Sequence, residues 1–351
     1  MSGPGQAVIR GEQWKMAFAP ESTYGDEPVS GSYTRVFGVV QTATIPDPTV
    51  DFQPFWGQGT SSARNWYTAY HGRVQLVGGV PDIILLEGRP LIYPIGDVVT
   101  VSAITSGVYT HTIIETNTLK SLAWHVTYTD SDGVIQLMRR FLGGKVNRAT
   151  IEGSEGDFLK MSFDEIDFTS MHHNQSGMTY YNSNVIDVNP VYPTTEPYLF
   201  SYGSLSLGGT IFARIRNFRL SISNNLEAKY YVQASGNLFL PYEWREGRRE
   251  YELTCTVDIE DAALYRELVS MGTYSSVYKG FQTIISFTKS ATDNITITMP
   301  AATPAPGGDS LGCLIRTAPH NIVQEPIVSV PLSIIGRGLN IIINNTTFIY
   351  P

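Results

Sequence analysis

The sequence predicts an all-β fold with short helices, arranged as two tandem units. Three observations carry that expectation. Apolar and polar residues alternate with a period of two through most of the chain, as in "YELTCTVDIE" and "NITITMP", which is the signature of strands with one buried face. Gly, Pro, Asn and Asp clusters punctuate these runs, as turns between strands require. The order of elements also recurs when the chain is slid along itself by 177 positions, pairing Ile45 with Ile222, Leu76 with Leu253 and Val80 with Val257.

In chain order, residues 1–30 read as a polar arm containing Gly and Pro, and residues 31–186 as the first β unit. Within that unit "RVQLVGGV", "YTHTIIET" and "FLKMSFDEIDF" are strands. "LAWHVTYTDSDGVIQLMRRF" is a hairpin turning at Asp132-Gly133, where glycine supplies the positive φ. Residues 187–203, with three prolines, read as an extended linker, and residues 204–351 as the second unit. Helices are expected only at Pro81–Gly88 and Ile259–Gly272, each opened by an acidic residue and closed by glycine. In "SISNNLEAKYYV" the apolar parity of Ile222 and Leu226 survives the Asn224-Asn225 pair. One bent strand is therefore expected across it, facing a counterpart bent at Pro46-Asp47-Pro48.

Composition excludes several classes of function. A net charge of −8 does not suit phosphate neutralisation on nucleic acid. Two cysteines, Cys255 and Cys313, make no disulfide framework and lack metal-ligand spacing, so buried thiols are expected. The N-terminus has no basic region followed by an apolar core, and runs such as Ile83–Leu86 are too short to span a membrane. Assembly in a cytoplasm is the expectation, with the four Asn-x-Ser/Thr sites as polar turns and strand edges.

Chemistry-bearing patterns are weak. His172-His173 is adjacent rather than at ligand spacing, and an exposed loop is expected there. The acids of "DEID", Asp164–Asp167, read as a solvated strand face. No phosphate-binding loop or nucleophile elbow is present. No catalytic, cofactor or metal residue is therefore assigned. The stronger signal is a pair of long aromatic loops at equivalent positions, one with Phe55, Trp56, Arg64, Trp66 and Tyr67, the other with Phe239, Tyr242, Trp244 and Arg245. Aromatics held in long loops at two matched places are candidates for subunit contacts.

On "ESTYGDEP", "YTHTIIETNTLKSLAWHVTY", "LGGKVNRATIEGSEGDFLKMSFDEIDF" and "RNFRLSISNNLE" followed by "GRREYELTCTVDIEDAALYREL", the chain resembles the major tail tube proteins of long-tailed bacteriophages. The resemblance implies tandem β-sandwich or barrel domains whose sheets join between subunits to line a pore. Single-domain members form rings of six, so two fused domains imply a trimeric, pseudo-hexameric ring stacked into a tube. The implied partners are further copies of the chain, the tape-measure, tail terminator and distal tail proteins, and transiting double-stranded DNA bound without sequence specificity. No cofactor and no membrane enter. Asp47, Asp51, Glu227, Glu250 and Glu252 are then candidates for acids facing the lumen, where they would repel a polyanion. The rival reading is a β-sandwich virion protein that binds carbohydrate or a receptor through its aromatics. A polysaccharide-cleaving enzyme is a more distant one.

Overall fold

The structure is a computed structural model that describes residues 14–28, 34–56, 68–105, 107–130, 132–188, 190–208, 210–212, 215–231, 239–259, 281–300, 312–317 and 328–346. The first half holds β1 (Trp14–Pro20), β2 (Thr44–Phe55), β3 (Thr68–Ile84), β4 (Gly96–Thr105), β5 (Val108–Glu115), β6 (Leu122–Thr129), β7 (Ile135–Ser154), β8 (Lys160–Phe168) and β9 (Ser170–His173). The second half begins with β10 (Gly203–Leu207), β11 (Thr210–Phe212), β12 (Ile215–Ser223), β13 (Glu227–Lys229), β14 (Glu243–Arg245) and β15 (Glu250–Ile259). It ends with β16 (Thr283–Ser290), β17 (Asp293–Met299), β18 (Leu314–Thr317), β19 (Val328–Gly336) and β20 (Asn340–Asn345). Among the described residues the helices are two short 3-10 turns, Arg89–Ile92 and Phe200–Tyr202.

The long sheet runs in the order β18-β19-β15-β12-β7-β8-β3-β2, so one sheet takes in strands of both halves. Its alternation is the one read from sequence. Phe218, Leu220 and Ile222 of β12 and Tyr251, Leu253, Cys255 and Val257 of β15 are buried, while Arg219, Glu250 and Thr254 are exposed. Each buried Leu or Phe contributes about 1.5–3 kcal/mol of burial. A second sheet, β11-β10-β16-β17-β20-β5-β4, covers the apolar side, and a third layer of β1, β6 and β9 is carried by the N-terminal part of β7. β7 passes from one layer to the other at Gly143, whose φ of +67° and contact with Thr169 leave no room for a Cβ.

One pairing pattern occurs in both halves. β2-β3-β8-β7 matches β12-β15-β19-β18, and β1-β6-β7-β9 matches β10-β16-β17-β20. The hairpin β4–β5 is an addition of the first half, and β5 lies against β20.

Two local expectations are corrected. Pro81–Ile84 ends β3 rather than opening a helix, because the apolar run is buried between strands; only the 3-10 turn at Arg89–Ile92 follows. The second expected helix, apart from Ile259, lies outside the described residues. The Asn pair does not continue a strand: β12 stops at Ser223, Asn225 takes φ +48°, and β13 starts in a separate two-stranded ribbon with β14. Asn224 fixes this departure. It is 1% exposed, and its amide donates to the carbonyls of Pro94 at 3.0 Å and Val146 at 2.9 Å.

The segment between the two halves packs irregularly on the first half. Tyr198 is buried, takes a hydrogen bond from Leu159 N–H and gives its own N–H to the Leu85 carbonyl.

Candidate assembly surface

The polar side of the long sheet carries acids and arginines in pairs. Arg216 meets Asp258 at 2.9 Å, Arg219 meets Glu152 at 3.7 Å, Arg316 meets Glu252 at 3.7 Å, and Arg148 pairs with Glu165. Hydroxyls hold further carboxylates: Thr150 donates to Asp164 at 2.6 Å and Ser333 to Glu252 at 2.7 Å. Guanidiniums engaged this way offer little unpaired positive charge to a polyanion.

Of the five acids nominated from sequence, Glu250 and Glu252 share this face on β15, Glu250 being exposed. Asp51 is exposed on β2, and Asp47, also on β2, pairs with Arg139 at 2.7 Å. Glu227 is off the sheet, on the β13–β14 ribbon, where Lys229 at 2.7 Å holds its carboxyl below the usual range. "DEID" is not uniformly solvated. A bulge opposite Arg148 shifts the register, and Asp167 is 1% exposed. Burial and the nearby Glu165 push its pKa up to about 7. His172 and His173 lie on β9 beside Arg140 and Arg139, not in a loop. Both cysteines are buried and free, and burial pushes Cys255 up to about 12. Among the described residues no cluster of His, Cys, Asp or Glu is arranged to hold a metal.

The two halves are joined by strand pairing. β12 runs antiparallel to β7 from Asn217 opposite Ser154 to Ser223 opposite Arg148. Leu226 N–H then donates to Asn147 Oδ1 at 2.9 Å. The ends of the long sheet are β2 and β18, each with one partner among the described residues. In the shared pairing pattern they occupy the positions of β12 and β7.

Above the junction the β13–β14 ribbon folds back over the first half. Trp244, 6% exposed, donates its indole N–H to the Phe168 carbonyl at 3.0 Å and its backbone N–H to the Tyr24 hydroxyl at 3.0 Å. Lys145 reaches the Trp244 carbonyl at 2.8 Å and Glu246 at 2.8 Å, with its ammonium 4.6 Å from the Tyr24 ring centre. Phe239 accepts from Val74 N–H at 2.8 Å and packs on His71, and Arg73 lies over Tyr230. Of the nominated aromatics, Trp244 is therefore an internal anchor, while Phe239 and Tyr242 keep 43% and 58% exposure and Arg245 is ion-paired to Glu243. Phe55 and Trp56 stand exposed at the end of β2; Arg64, Trp66 and Tyr67 lie outside the described residues. Sequence reasoning marked Asn224 as a bend without its buried amide contacts, and missed Lys145 and Tyr24, which have no pattern of their own in the sequence.

Among the described residues, a chain of paired strands whose long sheet ends in β2 and β18, each with one partner, defines a structural building block. The family model described as phage tail tube protein matches residues 11–312. The chain belongs to the phage tail tube protein family, whose place is the virion tail. No curated protein matches it.

Proposed function

We propose that three copies of the chain close a pseudo-hexameric ring, and that stacked rings form the conduit for DNA and the tape-measure protein. The observation that carries this reading is the β12–β7 junction. It is a worked example, inside one chain, of the contact that β2 of one copy and β18 of the next would make. Three chains then supply six matched sheets, each chain bringing residues 31–186 and 204–351 as its two units. Fusing the units makes half of these contacts intramolecular, which lowers the entropy lost on assembly.

Pro46, Pro48 and Pro54 on β2 remove backbone donors from that edge, a device that discourages indiscriminate sheet growth while leaving a matched partner acceptable. The polar face, with Glu250, Glu252 and Asp51, would line the channel. Its ion-paired arginines fit passage of DNA without adhesion. On this reading the rings assemble in the host cytoplasm between distal tail and tail terminator proteins.

Electron microscopy of concentrated protein tests the ring directly. The expected result is hollow striated filaments with three chains per ring, and an Asp51→Cys, Arg316→Cys variant that forms disulfide-linked species up to the trimer when oxidised in filaments. Six chains per ring, or a fixed small oligomer under all conditions, would overturn it.

A further inference from the structure

We propose that residues 191–200, in the segment joining the two halves, are a strap that fixes the angle between them, with Tyr198 as the positioning residue that locks it to the second half. The inference rests on the ring reading above and adds to it a determinant of curvature inside each chain.

The strap is anchored first on the first half. Just before it, Val188 is buried with Ala17, Ala19, Ala123 and Leu142 in a small apolar cluster on the β1–β6 layer. Val191 N–H donates to the Thr34 carbonyl at 2.8 Å, and the Thr195 hydroxyl to the Leu86 carbonyl at 3.0 Å. The Tyr198 backbone bonds to both Leu85 and Leu159, and Phe200 N–H donates to the Asp157 carbonyl at 3.0 Å. The Tyr198 side chain turns the other way. Its hydroxyl donates to Asp293 at the start of β17, and the Lys289 ammonium on β16 lies 3.7 Å from its ring centre. Lys289 also donates to Asp293 at 3.2 Å and, across the junction, to the Leu86 carbonyl at 3.1 Å.

The place of this lock gives it leverage. The twist between two paired strands is soft, varying over roughly 10–35° among sheets, so the β12–β7 pairing alone leaves the angle between the halves open. β16 and β17 belong to the second sheet, away from that line of hydrogen bonds. A cation over a ring and a charge-assisted hydrogen bond there hold direction as well as distance. The lock stands beyond the Asn217–Ser154 end of the pairing, and the Trp244 anchor stands at the Ser223–Arg148 end. Each junction within a chain is thus pinned at both ends, and the angle so fixed decides how many chains close a ring.

Spin labels on the Asp51→Cys, Arg316→Cys variant measure the distance between the two end strands in the dilute chain, both native cysteines being buried. A single narrow distance is expected. Adding Tyr198→Phe and Lys289→Met strips the lock while nearly keeping its volume, and should widen the distribution about twofold as the junction becomes a hinge. Tyr198→Phe alone, which keeps a ring under Lys289, should fall between the two. Filaments of the double variant should hold rings of mixed chain number where the wild type holds one. A broad distribution in the unaltered background overturns the inference, as does an equally narrow one in the double variant or, should that variant not fold, in Tyr198→Phe. Distances that respond as expected, with wild-type filaments of six chains per ring, would keep the strap and remove the ring reading.

Discussion

The two ribbons grow from matched strands and reach opposite ends. In the second half, Asn224 is buried and Asn225 turns left-handed, so the chain leaves its sheet and folds down on the first half. In the first half, Pro46, Asp47 and Pro48 bend β2 without ending it, and the ribbon projects with its aromatic rings in solvent. Similar aromatic content therefore serves two purposes. One ribbon is a clasp that holds the two halves of a chain; the other meets the second half at its base, where Val74 N–H donates to the Phe239 carbonyl and His71 packs on Phe239, and leaves Phe55 and Trp56 at its end exposed. What separates them is the amide of one buried asparagine and the indole it allows to reach the Phe168 carbonyl.

Removing the clasp should have the largest effect. Trp244→Ala is expected to cost about 3–5 kcal/mol in urea unfolding of dilute protein, whereas Trp56→Ala should leave the same curve unmoved. Equal losses at the two positions would erase the contrast.

Next in size is the carboxyl beneath the clasp. Asp167 lies opposite Lys145 on the neighbouring strand, and Lys145 holds the Trp244 carbonyl. Its folded pKa stands near 7 against the ordinary value of 3.8. Between those values the folded chain holds the extra proton, so stability is greatest below the lower one and declines as pH rises through the window to the upper. Denaturation midpoints at about pH 5 and pH 8 should differ in the wild type and converge in Asp167→Asn, with the variant more stable at the higher pH. A wild type whose stability is flat across that window would contradict the assignment.

The smallest effect is expected at the base of the projecting ribbon. Asp47 is largely exposed where it meets Arg139, and Asp47→Asn should change unfolding free energy by no more than about 1 kcal/mol. A larger loss would mean that this ribbon, too, depends on contacts within the chain.

Most of the fold was legible because strands with one wet face write their geometry into residue parity. Parity put Glu250 and Glu252 together on one face of β15, opposite the buried Tyr251 and Leu253. The failures occur where burial has no residue-type signature. Asp167, between Ile166 and Phe168 of the core, keeps to the opposite face of β8, but beside Lys145 that face is buried rather than solvated. The run Ile83–Leu86 has an acidic opening and a glycine ending suited to a helix, but its burial against other strands decides in favour of β structure. For the candidate surface, the sequence marked both aromatic loops without distinguishing them. That distinction depends on Lys145, Tyr24 and Phe168, which come from distant parts of the chain and meet only in three dimensions.

The position of β20 carries a consequence for the order of folding. This strand lies between β17 and β5, pairing Asn340 with Ile114 and Asn345 with Tyr109. During synthesis the β4–β5 hairpin emerges well before β20, its partner across β5. Contacts so distant in sequence are slow to form. The second sheet is therefore incomplete until β20 has been made and has found β5.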